Sequence, residues 1–274
     1  MWWNPRSSQN QRAAARLPDG LRIYAIGDIH GRADLLESLL LQIDEDCRLH
    51  PSRRPIVVFI GDYIDRGPAS RKVLDLLLGY ERTKETIFLR GNHETFAHRF
   101  LSKPAVLDEW RLYGGLETLV SYGLKPSINP SGLERARLAK ELAMSITKRH
   151  IEFLESLNLS FSCGDFLFVH AGIRPGVPLR KQREEDLIWI REEFLSCEQR
   201  FEKFVVHGHT PVDATDIRSN RINIDTGAFA TGRLTCIVIE GTSIVELIDV
   251  RDWIRNPAGI SVARNTRTRM EPAA

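Results

Sequence analysis

The sequence predicts an α/β protein, with parallel strands joined by helices, a helical insertion and a second sheet. Three observations lead to this prediction. Strand-like apolar runs, each followed by a polar turn that contains glycine, alternate with amphipathic segments over the first 95 residues. From about residue 95 to 158 the strand signal disappears, and leucine, alanine and charged residues recur at helical spacing. Strand-like runs then return and continue to residue 248.

The first 95 residues show the order β-α-β-α-β. The strand-like runs are LRIYAI at 21–26, PIVVFI at 55–60 and TIFL at 86–89. The segments at 34–43 and 70–80 place leucines on one helical face. This order predicts parallel strands in one sheet, connected by crossover helices. We therefore expect the carboxyl ends of these strands to share one edge, where open α/β sheets bind ligands.

Six further strand-like runs follow the insertion. The last three are separated only by turn-sized segments, which favours antiparallel pairing within a second sheet. We predict one domain from 21 to 250, with the helical insertion at about 95–158. The segments 1–20 and 255–274 are predicted to be flexible, and the second of them is basic. The six runs lie at 159–162, 166–169, 204–206, 221–224, 234–239 and 244–248.

Composition excludes several classes of protein. The chain has 274 residues, of which 42% are hydrophobic and 27% charged, as in soluble globular proteins. Its longest apolar runs are far too short for a membrane span. The two terminal segments carry a net charge of +5 and the body −3, so nucleic-acid binding is not expected. The four cysteines form no CxxC pair and the N-terminus lacks an apolar signal region, which favours reduced thiols and a cytoplasmic location.

Polar side chains follow the ends of five strand-like runs. Each turn alone is also typical of a capped helix start or a local hydrogen-bonded pair. Together they supply carboxylate, amide and imidazole groups without a thiolate, a donor set that suits Mn²⁺, Fe or Zn²⁺. The combination therefore predicts a metal site. The turns are GDIHG at 27–31, GDYIDRG at 61–67, RGNHE at 90–94, HAG at 170–172 and HGHTP at 207–211.

These motifs resemble those of the calcineurin-like metallophosphoesterases, and within them the phosphoprotein phosphatases. The match is to GDxHG, GDxxDRG, LRGNHE, HAG and GHTP, in the family's order, over residues 27–211. The likeness is greatest to compact phage-type and bacterial Ser/Thr phosphatases, which also show IDTGA (224–228) and signals like Trp110, Gly114 and Gly115. The resemblance implies a sandwich of two mixed β-sheets flanked by helices.

The resemblance also implies two divalent metal ions, with Mn²⁺ as the first choice and Fe or Zn²⁺ as alternatives. Asp62 would be shared by the two ions, and a hydroxide between them would attack phosphorus in line. HGHT offers two imidazoles, of which the resemblance favours His209, with His207 as an alternative ligand or a neighbour. The implied ligands are Asp28, His30 and Asp62 for one ion, and Asp62, Asn92, His170 and His209 for the other.

Further roles follow from the same resemblance. His93 lies outside the implied metal ligands and is the candidate general acid, with Asp65 setting its orientation and tautomer. Arg66 is predicted to clamp phosphate, because a guanidinium matches phosphate oxygens in a bidentate way. Arg191 stands where phage-type relatives carry a second phosphate-binding arginine, although a solvated position on a helix face is an equal alternative. Asn92 is expected to contact the substrate as well as a metal.

Three functions are open at this point. The first choice is a metal-dependent phosphomonoesterase, expected to be a monomer, that acts on phosphoserine and phosphothreonine in proteins.

 The alternative is a diadenosine tetraphosphate hydrolase, whose family shares the main motifs. The metal centre therefore does not distinguish a protein phosphatase from such a hydrolase. Substrate specificity would depend on the insertion. A third hypothesis is a metal-free scaffold that binds proteins, but this predicts loss of ligand residues, and every expected ligand type is present.

Overall fold

The computed structural model describes residues 15–51, 53–251, 254–255, 261–262 and 266–270. Its strands and helices alternate in the first half of the chain, as predicted. The strands are β1 (Leu21–Ile26), β2 (Arg54–Phe59), β3 (Thr86–Phe88), β4 (Ser160–Cys163), β5 (Phe166–Val169), β6 (Phe204–His207), β7 (Asp216–Ile217), β8 (Arg221–Asn223), β9 (Arg233–Glu240), β10 (Ser243–Arg251), β11 (Ile254–Arg255), β12 (Ser261–Val262) and β13 (Thr266–Arg269). The α-helices are α1 (Ala33–Leu49), α2 (Ser70–Tyr80), α3 (Asn92–Ser102), α4 (Leu107–Trp110), α5 (Gly115–Ser121), α6 (Gly132–Ser145), α7 (Lys148–Ser156), α8 (Glu184–Trp189), α9 (Glu192–Leu195) and α10 (Ala228–Thr231).

The first sheet has six strands in the order β13-β10-β9-β1-β2-β3. β1, β2 and β3 run parallel, and α1 and α2 form the connections between them. A parallel connection needs a crossover of this kind, because the chain must return to the same end of the sheet. The carboxyl ends of the three strands therefore lie at one edge, as the order of elements predicts.

The second sheet has five strands in the order β4-β5-β6-β8-β7. β5, β6 and β8 run parallel, whereas the two edge strands β4 and β7 are antiparallel to their neighbours. The residues that follow β5 and β6 are consequently brought side by side. Both sheets are mixed and helices flank them, which confirms the predicted α/β sandwich.

The position of the strands β9 and β10 corrects one prediction. They pair antiparallel with each other, as expected, but they belong to the first sheet, where Ile239 of β9 lies opposite Ile23 of β1. The short segment between two strands predicts their pairing but carries no information on which sheet they join. Burial explains the outcome: Cys236 and Val238 enter one core and Ile237 the other, so β9 is covered on both faces.

Two apolar cores result from this arrangement. The core between the sheets contains Ile23 of β1, Val58 of β2 and Val206 of β6. The core under the helices contains the alternate residues of the same strands, such as Tyr24 and Val57, because successive side chains of a strand point to opposite faces. The first sheet is thus buried on both sides, and its loops are held at a rigid edge.

The region between β3 and β4, all of it described, is helical as predicted for about 95–158, with α3 already beginning at Asn92. No helix of the described residues has the length and apolarity that a bilayer crossing requires. The single domain at 21–250 and the flexible ends stay predictions, since residues 1–14 and much of 255–274 lie outside the described residues. Of the ends, Leu17 is buried, and β13 pairs with β10.

Candidate metal centre

Six predicted ligands meet at the shared edge of the two sheets. Asp28 and His30 follow β1, Asp62 follows β2, and Asn92 is the first residue of α3. The second sheet supplies the other two, which follow β5 and β6. All six side chains are buried, although every one of them is polar. The six are Asp28, His30, Asp62, Asn92, His170 and His209.

Within the described residues, two groups of side chains place ligand atoms close enough together to hold a metal ion. One group is His30, Asp62 and His93, and the other is Asp62, His170 and His209. Asp62 belongs to both: its Oδ2 lies 3.5 Å from Nε2 of His30, and its Oδ1 lies 3.5 Å from Nε2 of His170. The carboxylate is therefore placed to bridge two cations, although the assignment of ligands stays a prediction.

Backbone carbonyls orient the two imidazoles. Nδ1 of His30 donates a hydrogen bond to the carbonyl of Ile64 (3.0 Å), and Nδ1 of His170 donates to the carbonyl of Ile60 (2.9 Å). A neutral ring has only one N–H, so Nε2 of each ring presents a lone pair toward Asp62. Burial lowers the pKa of His30 to about 3, and it also lowers the pKa of His170. A lowered pKa favours the neutral ring, which is the form that binds metals.

Several polar atoms of the site lie close together: Nδ1 of His209 is 3.2 Å from Nε2 of His170 and can donate a hydrogen bond to it. The Nε2 atom of His170 lies 3.1 Å from Oδ1 of Asn92 as well as near Asp62. Oδ1 of Asp28 and Nε2 of His209 are buried without a hydrogen-bond partner. Buried polar atoms without a partner are costly. A cation would satisfy the lone pairs around Asp62, so the donor set fits a metal.

The charges of the carboxylates agree with this arrangement. Burial raises the pKa of Asp28 well above its ordinary value, and the carboxylates of Asp225 and Asp62 raise it further. Burial acts on Asp62 in the same direction, but His170 and the other imidazoles outweigh it and hold the pKa of Asp62 below its ordinary value. Asp62 is therefore ionised, whereas an ionised Asp28 calls for a nearby positive charge.

Asp28, a predicted ligand, and His207, the alternative to His209, belong to neither of the two groups. Asp28 lies outside both groups of the described residues, and its Oδ2 accepts a hydrogen bond from the backbone N–H of His209 (3.1 Å). His207 also lies outside them: its Nδ1 is 3.1 Å from the carbonyl of Gly208, and its ring packs edge-on against Phe194. The geometry therefore favours His209 over His207 as a ligand.

The backbone of the site is strained. Five non-glycine residues of the described chain have a positive φ, between 45° and 72°, and all five carry predicted site functions. Such left-handed conformations are unfavourable for side chains with a Cβ and concentrate at functional sites. The surrounding fold must hold them. The five are His30, Asp62, Asp65, Arg66 and His209.

His93 and Asp65 form a buried pair beside the metal ligands. Nδ1 of His93 donates to Oδ2 of Asp65 at 2.7 Å. Two residues of the insertion hold this carboxylate: Nε1 of Trp110 donates to Oδ2 (2.7 Å) and Oγ1 of Thr118 donates to Oδ1 (2.6 Å). Burial opposes protonation of His93, but Asp62 and then Asp65 outweigh it, so the pKa of His93 is raised. No motif signals the role of Thr118, which sequence reasoning missed.

The two predicted phosphate-binding arginines lie at different places. Nη2 of Arg66 lies 3.4 Å from Nε2 of His93, and its guanidinium stands over the ring of Phe229, with Cζ 4.6 Å from the ring centroid. Arg191 is exposed, and its Nη1 donates to Oγ1 of Thr210 at 3.4 Å. Arg66 is therefore directed into the site beside His93, whereas the role of Arg191 in substrate binding stays a prediction.

The family can now be stated. Residues 21–233 match the family model of calcineurin-like phosphoesterases. The chain belongs to the calcineurin-like phosphoesterase family. The matched range includes the first eight strands and every predicted site residue. Membership supports the predicted hydrolysis of a phosphoester with divalent metals, without identifying the metal or the substrate.

Two curated relatives of this phosphoesterase carry the same name. It is 30% identical to the asymmetrical bis(5′-nucleosyl)-tetraphosphatase PrpE of Oceanobacillus iheyensis over 235 residues, which cover 78% of this chain and 87% of that relative. It is 26% identical to the protein of the same name from Anoxybacillus flavithermus over 233 residues, covering 77% of this chain and 88% of the relative. These two relatives are thus similar to the phosphoesterase over most of both lengths.

Solved structures share the fold of the phosphoesterase. A crystal structure of a candidate diadenosine tetraphosphatase superimposes with a TM-score of 0.57 at 20% identity, covering 92% of this chain and 98% of that one. A mutant of a cold-active protein tyrosine phosphatase superimposes with a TM-score of 0.51 at 18% identity, covering 91% and 83%. At such identities these likenesses show the fold alone.

The names of the curated relatives correct the predicted function. The prediction of a phosphoserine and phosphothreonine phosphatase is wrong, because curated relatives that match most of the chain are named bis(5′-nucleosyl)-tetraphosphatases. The findings favour the alternative prediction instead. The error has a physical reason: the motifs contain the predicted metal ligands and the predicted phosphate clamp, which would act on the phosphoryl group and not on the rest of the substrate.

Proposed function

We propose that this phosphoesterase hydrolyses bis(5′-nucleosyl)-tetraphosphates asymmetrically, to a nucleoside triphosphate and a nucleoside monophosphate. The observation that carries the proposal is the 30% identity to the Oceanobacillus iheyensis tetraphosphatase over 78% of this chain and 87% of that relative. A likeness of this extent goes beyond the short motifs that the family shares. The convergence of two candidate ligand groups on Asp62 supports the chemistry.

Two divalent cations would be held on the two sides of Asp62, and His93, which also belongs to the first group, would stay free to act as an acid. His30 and Asp62 would contribute to one position, with Asp28 nearby, and Asp62, His170 and His209 to the other, with Asn92 beside His170. When bound, such cations neutralise phosphate charge and make a water molecule nucleophilic near neutral pH. Nitrogen and oxygen donors without thiolate suit Mn²⁺, which is the ion to test first.

Arg66 would hold the phosphate to be attacked. Its guanidinium can form two parallel hydrogen bonds with phosphate oxygens, a geometry that an ammonium group does not offer. Nη2 of Arg66 lies 3.4 Å from Nε2 of His93, so both groups face the same small volume. A phosphate bound there would contact the clamp and the proton donor at once.

His93 would protonate the leaving oxygen. Because Asp65 accepts the Nδ1–H, the second N–H of the protonated ring is at Nε2 and faces the substrate position. The pKa of His93 is raised, with burial outweighed by Asp62 and Asp65, which favours the protonated form that a general acid requires. In the reaction, water oxygen bonds to phosphorus and releases one proton to solvent, one bridging P–O bond breaks, and the oxygen that leaves takes the proton of His93.

Product analysis tests the proposal. Protein loaded with Mn²⁺ is incubated with diadenosine tetraphosphate, and the nucleotides are separated by anion-exchange chromatography. We expect ATP and AMP in equal amounts, and strongly reduced turnover in Asp62→Asn. A phosphothreonine peptide serves as the comparison substrate. Absence of hydrolysis, ADP as the only product, or faster turnover of the peptide would each contradict the proposal.

A further inference from the structure

A cavity of about 540 Å³ lies beside the metal centre, bordered by the first turns of α1 and α2. Its size is within the range of small-molecule sites. Arg66, the predicted phosphate clamp, forms part of its wall, so the cavity is continuous with the position at which a phosphate would bind. The other side chains that matter here are Arg32, Asp34, Glu37, Lys72 and Phe229.

The charges in this cavity favour an anion. Three cations and two carboxylates line it, which leaves a net charge of +1. Arg32 is held by Asp34 through Nε (2.9 Å) and Nη2 (2.6 Å), so that it neutralises this carboxylate. Nζ of Lys72 lies 2.8 Å from Glu37, but both side chains are about half exposed. Exposed pairs of this kind are weak, and a phosphate can compete for Lys72.

Phe229 gives the cavity an aromatic wall. It is 37% exposed, so that part of the ring is accessible from solvent. The guanidinium of Arg66 lies over its ring, and the ring of His30 contacts it edge-on with centroids 5.5 Å apart. Two predicted site residues thus hold the ring in place. A rigid, partly exposed aromatic ring beside a cation is suited to stack with a nucleobase.

We propose that this cavity binds the nucleoside triphosphate arm of the dinucleotide, with Arg66 and Lys72 on its phosphates and Phe229 against its base. The inference rests on the proposed function, because it assigns one arm of that substrate to a position. A polyphosphate that begins at His93 passes Arg66 and enters the cavity, since Arg66 contributes to both. The nucleoside would then reach Phe229, the only aromatic side chain among the described residues that line the cavity.

Binding of two probes tests this assignment. The Mn²⁺-loaded protein is titrated by calorimetry with ATP and with inorganic triphosphate, which carries the same phosphate chain without a nucleoside. We expect ATP to bind at least about tenfold more tightly, because stacking adds to the phosphate contacts. Phe229→Ala should reduce this preference to less than about threefold, whereas Phe229→Trp, which keeps an aromatic ring, should retain it.

Lysine variants test the phosphate contacts separately. Lys72→Ala should weaken both probes several-fold and leave the preference for ATP unchanged. The matched control is Lys148→Ala, which removes an exposed lysine of α7 that is paired with Glu152, and should change neither affinity. Because Phe229 is partly exposed, its variants are expected to fold, and thermal unfolding verifies this.

Equal binding of ATP and inorganic triphosphate by the unmodified protein would overturn the inference. So would a full preference for ATP in Phe229→Ala, or Lys72→Ala affinities that equal those of the control. Calorimetry measures binding without turnover of the dinucleotide, so these outcomes do not depend on the product analysis. A protein that binds ATP through Phe229 but does not cleave the tetraphosphate would refute the proposed function alone.

Discussion

The Nδ1 atom of His93 and the Oδ2 atom of Asp65 lie 2.7 Å apart, and both side chains are buried. The same carboxylate accepts hydrogen bonds from Trp110 and Thr118, which belong to the helical insertion. The insertion thus reaches into the site from outside the two sheets. It holds Asp65, and Asp65 in turn orients the imidazole that faces Arg66.

Replacement of Asp65 tests this chain of contacts. Burial lowers the pKa of His93, but Asp62 and Asp65 raise it by more than burial lowers it. Asp65→Asn should therefore lower the pKa of His93. A general acid must be protonated, so activity declines as the pH rises through its pKa. We therefore expect the alkaline limb of the kcat profile to move to lower pH, with kcat reduced at least about tenfold. An unchanged profile would contradict the role, and Asp108→Asn, on the exposed surface of α4, is the control.

The proton from His93 should matter most for poor leaving groups. A phosphate oxygen, with a pKa near 6, leaves more readily than the oxygen of an alcohol. His93→Asn should therefore lower kcat by about 100-fold or more on an alkyl phosphate, and by less on diadenosine tetraphosphate. The bound Mn²⁺ should not change. An equal loss on both substrates would contradict the role of His93 as general acid, and a loss of metal would identify it as a ligand.

Asp62 is the residue shared by the two candidate ligand groups. One carboxylate oxygen of Asp62 lies near His30 and the other lies near His170. Asp62→Asn therefore removes a negative charge from both groups at once. We expect Mn²⁺ content, measured by elemental analysis after dialysis, to fall at both positions together. Asp108→Asn again provides a control with an exposed carboxylate. Loss of only one ion would show that the other group does not depend on Asp62.

The backbone at Gly91 lies so close to Asp62 that only a glycine fits there. A Cβ at this position would lie 2.0 Å from Oδ1 of Asp62, whereas a Cβ at Gly79 in α2 meets nothing within 4 Å. Gly91→Ala should reduce the free energy of unfolding by about 1 to 3 kcal/mol through overpacking, and abolish activity. Gly79→Ala should raise it by about 0.5 to 1 kcal/mol, because alanine favours a helix. Denaturant unfolding measures both, and equal effects would contradict this explanation.

His150 should contribute to the pH dependence of stability. It is buried, with Nδ1 2.7 Å from the hydroxyl of Tyr122 and Nε2 3.1 Å from Oδ1 of Asp75. Burial lowers its pKa, so the unfolded chain binds protons more readily. This contribution is present above the unfolded pKa of about 6.5 and is lost as the pH falls below it. His150→Gln should reduce the loss of stability between pH 7 and 5, unlike His98→Gln at an exposed position.

A large part of the site could be predicted from the sequence. The β-α-β order places strand ends at one edge, and the polar turns after those strands supply Asp62, His170 and His209. Local pattern suffices here, because the connections between parallel strands have a fixed handedness. The sheet that β9 and β10 join could not be predicted, since their contact with β1 depends on residues more than 200 positions away.

The substrate was beyond the reach of the motifs. Catalytic groups act on a phosphoryl group that phosphoproteins and dinucleotides share, so the same turns are compatible with both. Contacts with the rest of a substrate would come from residues outside these turns. Phe229, beside Arg66, and Thr118, on Asp65, belong to no motif used in the prediction and become visible only as neighbours in space.

The sequence by itself determined the class of fold and the kinds of atom that converge on the metal centre, because short-range periodicity and turn chemistry are local properties. Only the tertiary structure decided that the insertion supports Asp65 and that a cavity opens beside Arg66. These relationships join segments that are distant along the chain. They arise from packing, whose outcome depends on all contacting residues at once.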